Sequence, residues 1–293
     1  MIRRRRFLWS SLLFLAGCTA TTQTRSLQSA GQLPQKLRLT VTDATDSEEL
    51  ERNYGAFRSA LEEVLGTEVE FFPVKNYVEA APAMIEGQLD IAWAGPSEYV
   101  VLKARAQAIP LVAIARPKFR SVLVVRADSD IRSPADLKGK TIEARLGSTS
   151  SHIGVMKILM NAGLDPQQAF EVAMSGRHTL QGVKNGEVDA RGFAQHRYEK
   201  VLQEEGLSPS DYSIIAELPL PNDLLVVNPL LDPDQIATMQ SRILQNQDPL
   251  IQAILSVESL AAKFSGSMLE PAEDKDYEMI REVYRAIGQV DFL

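Results

Sequence analysis

Cysteine and histidine are scarce in this chain. Of 293 residues one is Cys and three are His. A single Cys excludes an intramolecular disulfide and any site built on several thiolates. His152, His178 and His196 lack metal-ligand spacing, and no H-E-x-x-H motif occurs. Positive charge is also short: 31 Lys and Arg against 38 Asp and Glu leave a formal net charge of −7. No Lys/Arg block stands outside the first six residues, so the chain lacks the basic stripe that nucleic-acid phosphates require. No segment approaches twenty uninterrupted apolar residues, so none reads as a membrane span. There is no G-x-S-x-G elbow. Gly139-Lys140-Thr141 fails as a P-loop, because Pro134 stands where the first Gly is required. The hydroxyl run at 148–151 has no recognisable base partner. These absences predict a protein that is not an enzyme, carries no metal or cofactor and binds no nucleic acid.

What is present is ordinary globular composition, 45% hydrophobic and 24% charged, over a length that suits two domains. The N-terminus reads as an address. Arg3 to Arg6 form a positive start, Phe7 to Leu15 a short apolar stretch, and Leu15-Ala16-Gly17-Cys18 resembles a bacterial lipobox. Residues 1–17 are therefore expected to be a lipoprotein signal peptide, with Cys18 lipidated. Residues 18–35, rich in Thr, Ser, Gln, Gly and Ala, are expected to be a flexible tether. Removing 1–17 takes four arginines and carries the net charge from −7 to −11. The working protein is expected to be acidic and lipid-anchored at the periplasmic face of the cell membrane.

From residue 37 the pattern alternates. Strands are predicted at 37–41, 69–72, 90–93, 109–115, 121–126, 141–144, 170–174, 188–193, 213–216 and 224–227. Helices are predicted between them, notably 46–65, 76–86, 97–106, 148–162 and 195–205, and the remainder from Pro233 is predicted helical. Such alternation implies parallel sheets covered on both faces. An internal echo adds to this. Met84-Ile85-Glu86-Gly87-Gln88-Leu89-Asp90-Ile91-Ala92 ends a helix on Gly and enters a strand through Asp; Val183-Lys184-Asn185-Gly186-Glu187-Val188-Asp189-Ala190 repeats this 99 positions later. The spacing suggests two α/β lobes of similar build, although αβ corners in general share these features.

Four stretches carry a resemblance. Gly87 to Pro96 followed by Tyr99, then Gly147-Ser148-Thr149-Ser150, then Ser175-Gly176-Arg177-His178 with Gly186 to Ala190, and last Leu218 to Asp223 together resemble periplasmic binding proteins for phosphate, phosphite and phosphonate. The resemblance implies an α/β, type II two-lobed fold, with two Rossmann-like lobes, a hinge and a ligand cleft. It implies a first lobe of 36–122 plus 222–293 and a second of 123–221. It also implies a monomer that hands a small anion to an ABC permease and its ATPase.

Within that frame Ser148, Thr149, Ser150 and Ser151 place hydroxyls and free N–H groups at a helix start, which suits an anion without full countercharge. One N-cap would also explain a single one of them. The resemblance puts His178 on the anion, and Asp189 where it would accept from a protonated ligand oxygen or an amine. Trp93, Tyr54, Tyr77 and Tyr99 are candidates for an aromatic wall, with lobe core as the alternative. Arg145, Arg177 and Arg191 are candidates for pairing with a phosphoryl oxygen. The chain departs from the family where Ser151 replaces Gly, where Ala94 replaces a larger residue, and where His178 to Asp189 is two residues shorter. Two further functions stay open on sequence: the same fold binding a sulfonate or carboxylate, or a sensory module contacting a membrane histidine kinase. Neighbouring genes for a permease or for a kinase would separate them.

Overall fold

Chain direction is decided by where the chain enters each sheet. The computed structural model describes residues 31–44, 46–75, 77–175 and 179–293, with backbone only at 77 and 78. The expected signal peptide, Cys18 and His178 lie outside the described residues, as does Arg177. The strands are β1 (Lys36–Val41), β2 (Glu68–Phe71), β3 (Ile91–Ala94), β4 (Ile109–Ala115), β5 (Arg120–Arg126), β6 (Thr141–Ala144), β7 (Glu171–Met174), β8 (Ala190–Ala194), β9 (Tyr212–Pro219), β10 (Asp223–Val227) and β11 (Met268–Pro271). They form one sheet in the order β11-β4-β10-β3-β1-β2 and a second in the order β7-β6-β8-β5-β9. The α-helices are α1 (Ser47–Leu65), α2 (Tyr77–Ile85), α3 (Pro96–Ala106), α4 (Gly154–Asn161), α5 (Gln181–Asn185), α6 (Gln195–Glu204), α7 (Pro233–Gln245), α8 (Gln247–Leu255), α9 (Glu258–Phe264) and α10 (Glu278–Ala286).

Both sheets are mixed, which corrects the expectation of parallel sheets. In the first, β1 runs parallel to β2 and β3, whereas β10 is antiparallel to β3 and β4. In the second, β6 is parallel to β7 and β8, and β5 is antiparallel to β8 and β9. The chain passes from the first sheet to the second through 116–119 and returns through 220–222. It therefore enters each sheet from the side the other strands point towards, so β5 and β10 run against them. The passage expected at 122 falls inside β5. A second correction is β11, in a stretch predicted helical. Gly266, at φ +76°, turns the chain out of α9, and a four-residue edge strand ending in Pro271 follows, antiparallel to β4. The helix predicted at 148–162 is a π-helical turn, Thr149–Ile153, continued by α4.

Local signals explain the rest. Asp46 caps α1 by accepting from Glu49 N at 2.8 Å, and Gly66 closes it at φ +63°. Alternate residues of β1 (Leu37, Leu39, Val41) are buried against Leu50, Phe57 and Leu61 of α1. The echo is structural. Asp90 N donates to Arg38 O at 3.1 Å and its carboxylate accepts from Arg38 N at 2.8 Å. Asp189 N donates to Thr141 O at 2.8 Å and its carboxylate accepts from Thr141 N at 2.9 Å. One compact unit, Gly31–Leu293, contains both sheets. A continuous core runs from α3 through α10 to α4. Lys157 of α4 pairs with Glu282 of α10 at 2.6 Å, and Gln167 donates to Ala286 O at 2.6 Å, so α10 touches elements of both sheets.

Candidate ligand cleft

The carboxyl ends of β1, β3, β6 and β8 converge on one cavity of about 590 Å³. Clefts at the carboxyl ends of such strands are where α/β folds bind ligands. One wall, from the first sheet, carries Thr42, Asp43, Tyr54, Trp93 and Glu98, with Arg116, Asp223 and Lys263 at its back. The facing wall carries Arg145 to Ser151 after β6, and Phe193, His196 and Arg197 at the end of β8.

The serine loop follows from its backbone. Gly147 takes φ +75°, which reverses the chain after β6 and starts the π-helical turn. Ser148 Oγ accepts from Ser151 N at 3.3 Å and lies 3.5 Å from Ser150 Oγ. Ser151 is buried, and its hydroxyl accepts from Arg145 N at 3.3 Å, so it closes the loop rather than facing the cavity freely. His152 Nδ1 accepts from Gly147 N at 3.3 Å, and burial pushes its pKa down to about 4. The N–H groups of Thr149 and Ser150 have no acceptor among the described residues. That leaves two backbone donors and two partly exposed hydroxyls at a helix start.

The opposite wall is charged. Asp43 is half exposed to the cavity and pairs with Lys263 at 3.3 Å; Lys263 also lies 3.6 Å from Asp223, which pairs with buried Arg116 at 2.9 Å. Lys263 holds the Asp43 carboxyl below the usual carboxylate range, with Arg145 and Arg116 adding to it. Burial works against the Lys263 charge, but Asp223 and Asp43 outweigh it and raise the ammonium above its ordinary value. Glu98 accepts from Gly95 N at 2.6 Å and from Thr42 Oγ1 at 2.5 Å; burial, then Asp43, pushes it up to about 7. His196 is pushed down to about 4 by burial and by Arg116 and Lys263, so it is neutral at pH 7.

The cavity thus gathers Ser148, Thr149, Ser150, Ser151, Trp93 and Tyr54. Trp93 is nearly buried and packs edge-on against Tyr54, Phe57 and Phe264, so it supports the wall more than it opens to it. Arg145 lines the mouth. Three candidates are placed elsewhere. Tyr99 is buried and donates from its hydroxyl to Asp274 at 2.5 Å, because its position on α3 faces the core and Tyr277 rather than the cleft. Asp189 stands at the amino end of β8, one strand length from the cleft, beside Lys140 at 3.5 Å. Arg191 is buried against Glu143 at 2.5 Å. Ala94 is fully buried and does not line the cavity. Asp43, Arg116, Glu98, Lys263 and His196 were not singled out as ligand contacts by the sequence. Two of them carried a signal of position: Asp43 and Arg116 each follow the carboxyl end of a strand.

Comparison with known proteins bears on this geometry. Residues 39–277 match the family described as ABC transporter, phosphonate, periplasmic substrate-binding protein. A curated relative, the phosphate-import protein PhnD of Mycolicibacterium smegmatis, is 25% identical over 94% of this chain and 93% of its own. Among solved structures, PhnD1 of Prochlorococcus marinus in complex with methylphosphonate matches with a TM-score of 0.65 at 22% identity, covering 88% of this chain and 100% of its own. A Xanthomonas citri protein, XAC2383, bound to ATP matches at 0.68 and 18% identity, covering 88% and 98%. The fold is that of these binding proteins, with two α/β sheets about a cleft. The chain belongs to the phosphonate family of periplasmic substrate-binding proteins of ABC transporters, whose members are transport components and not enzymes.

Proposed function

We propose that this protein is a lipoprotein, anchored through Cys18, that captures a tetrahedral phosphorus oxyanion (phosphonate, phosphite or phosphate) and delivers it to an ABC permease. The observation that carries the reading is the serine loop. Two unclaimed backbone donors and the Ser148 and Ser150 hydroxyls face a cavity at a helix start, and neutral donors of this kind hold an oxyanion without a full countercharge. The relatives named above, one a phosphate-import protein and one solved with methylphosphonate, support the same class. The two lobes, joined by the passages at 116–119 and 220–222, close over the anion as a monomer, with Tyr54 against its substituent.

Calorimetry on the protein lacking residues 1–25 tests this with methylphosphonate, phosphite, phosphate and an alkylsulfonate. At least one phosphorus oxyanion should bind at micromolar concentration or tighter while the sulfonate binds less well. Binding of the sulfonate alone would sink the reading. Mass spectrometry of membrane-extracted protein should find an acylated Cys18 at the N-terminus; a soluble product cut elsewhere would remove the anchor.

A further inference from the structure

Thr149 differs from its neighbours in what its hydroxyl already does. The helix start of α3 has Gly95 as its cap, which offers no side-chain oxygen. Glu98 reaches back to Gly95 N, and Thr149 Oγ1 accepts from Ser97 N at 3.1 Å, across from the second sheet's loop. Ser97 Oγ donates to Gly147 O at 2.9 Å, since a carbonyl can only accept. Ser97 Oγ and Thr149 Oγ1 are 2.8 Å apart. The Ser97 proton is committed to Gly147, so the proton between the two hydroxyls belongs to Thr149. A hydroxyl has one proton. Thr149 has therefore none left for an anion. The junction is buried: Ser97 is 2% exposed, Thr149 8% and Tyr284 1%, and Tyr284 of α10 donates to Ser97 O at 3.4 Å.

We propose that Ser97 is a positioning residue of the serine loop. Its hydroxyl accepts from the Thr149 hydroxyl and donates to Gly147 O, and its N–H donates to the Thr149 oxygen that caps α3, so that the anion is held by the Ser148 and Ser150 hydroxyls and the N–H groups of Thr149 and Ser150. The hydroxyls of Ser97 and Thr149 then act as one unit that never touches ligand, while the Thr149 N–H stays with the anion. This inference rests on the reading of the cleft as an oxyanion site.

The test is a double-mutant cycle read by calorimetry with methylphosphonate and with inorganic phosphate as probes. Ser97→Ala and Thr149→Ala should each weaken binding about tenfold, the loss of one hydrogen bond's positioning. The double variant should be no weaker than either single one, and Thr149→Ser, which keeps the hydroxyl, should bind as the parent does. In Thr149→Ala without ligand, hydrogen exchange at the Ser97 amide should speed up, because its only acceptor among the described residues is gone. Unchanged or tighter binding in Ser97→Ala beside weaker binding in Thr149→Ala would mean that Thr149 donates to the anion, and the proposal falls. Losses that multiply in the double variant would also overturn it. Should Ser97→Ala not fold, Ser97→Cys takes its place in the cycle. If neither probe binds the parent protein, the oxyanion reading fails first and this inference goes with it; binding to the parent with an additive cycle fails the inference alone.

Discussion

Two helix starts face the cleft, and they are dressed in opposite ways. At α3 the amino end already holds a carboxylate: Glu98 accepts from Gly95 N, and its neighbour Asp43 adds a second negative group. At the serine loop the amino end holds only neutral oxygens, and two N–H groups are left open. The backbone dipole is the same in both. What differs is occupancy. The first end is satisfied from within, the second is available to a solute, and this difference locates the anion on the second-sheet side under the proposed function.

The contrast can be erased by giving the serine loop a carboxylate of its own. Ser150→Asp should cost methylphosphonate binding a hundredfold or more, about 3 kcal/mol, through like-charge repulsion and loss of a donor, while the melting temperature changes little. Titration calorimetry checks it, and retained affinity would move the anion off this loop. The next effect concerns His152, which accepts from Gly147 N inside the serine loop. His152 has a folded pKa of about 4 against an ordinary 6.5, because burial disfavours its charge. Its neutral form belongs to the fold, so its contribution is present above pH 6.5 and is lost as pH falls from 6.5 towards 4. The full loss is up to about 3 kcal/mol at 1.36 per unit. Urea unfolding at pH 7 and pH 4.5 should show stability falling in acid, and His152→Gln should flatten that fall. The smallest effect lies on the opposite wall. Glu98 titrates near pH 7 and adds negative charge to the cleft above it. The affinity ratio of Glu98→Gln to parent, taken at each pH so that ligand ionisation cancels, should rise a few-fold between pH 6 and pH 8. A flat ratio would put Glu98 too far from the anion to be felt.

Much of the fold was legible because it is written locally. Asp46 and Gly66 mark both ends of α1, and the strands predicted at 109–115 and 141–144 coincide with β4 and β6. The serine loop was legible as four hydroxyls before a helix. Strand direction was not, because periodicity is blind to which side of a sheet the chain enters. Nor was the charged wall, since Asp43, Arg116, Asp223 and Lys263 meet from four distant segments. Asp189 shows how a true pattern can mislead. The echo was real, but it marks a corner: Asp90 and Asp189 each clamp the first residues of the neighbouring strand, at the end of the sheet away from the cleft. Tyr99 fell to the same confusion between being near a motif and facing a pocket.

The placement of α10 has a consequence for how long a solute stays. The helix lies against α3 on one side and α4 on the other, pinned by Lys157–Glu282 and by Gln167 on its last turn. Any widening of the cleft that parts the two sheets must strip α10 from one of them or drag it along. Under the proposed function, escape that needs such widening is slowed by the peeling of this packed interface as well as by the hydrogen bonds that hold the solute. Two ligands of unequal contact quality would then leave at rates closer together than their contacts alone would set, and a docked permease that pried at this helix would hasten unloading without touching the anion.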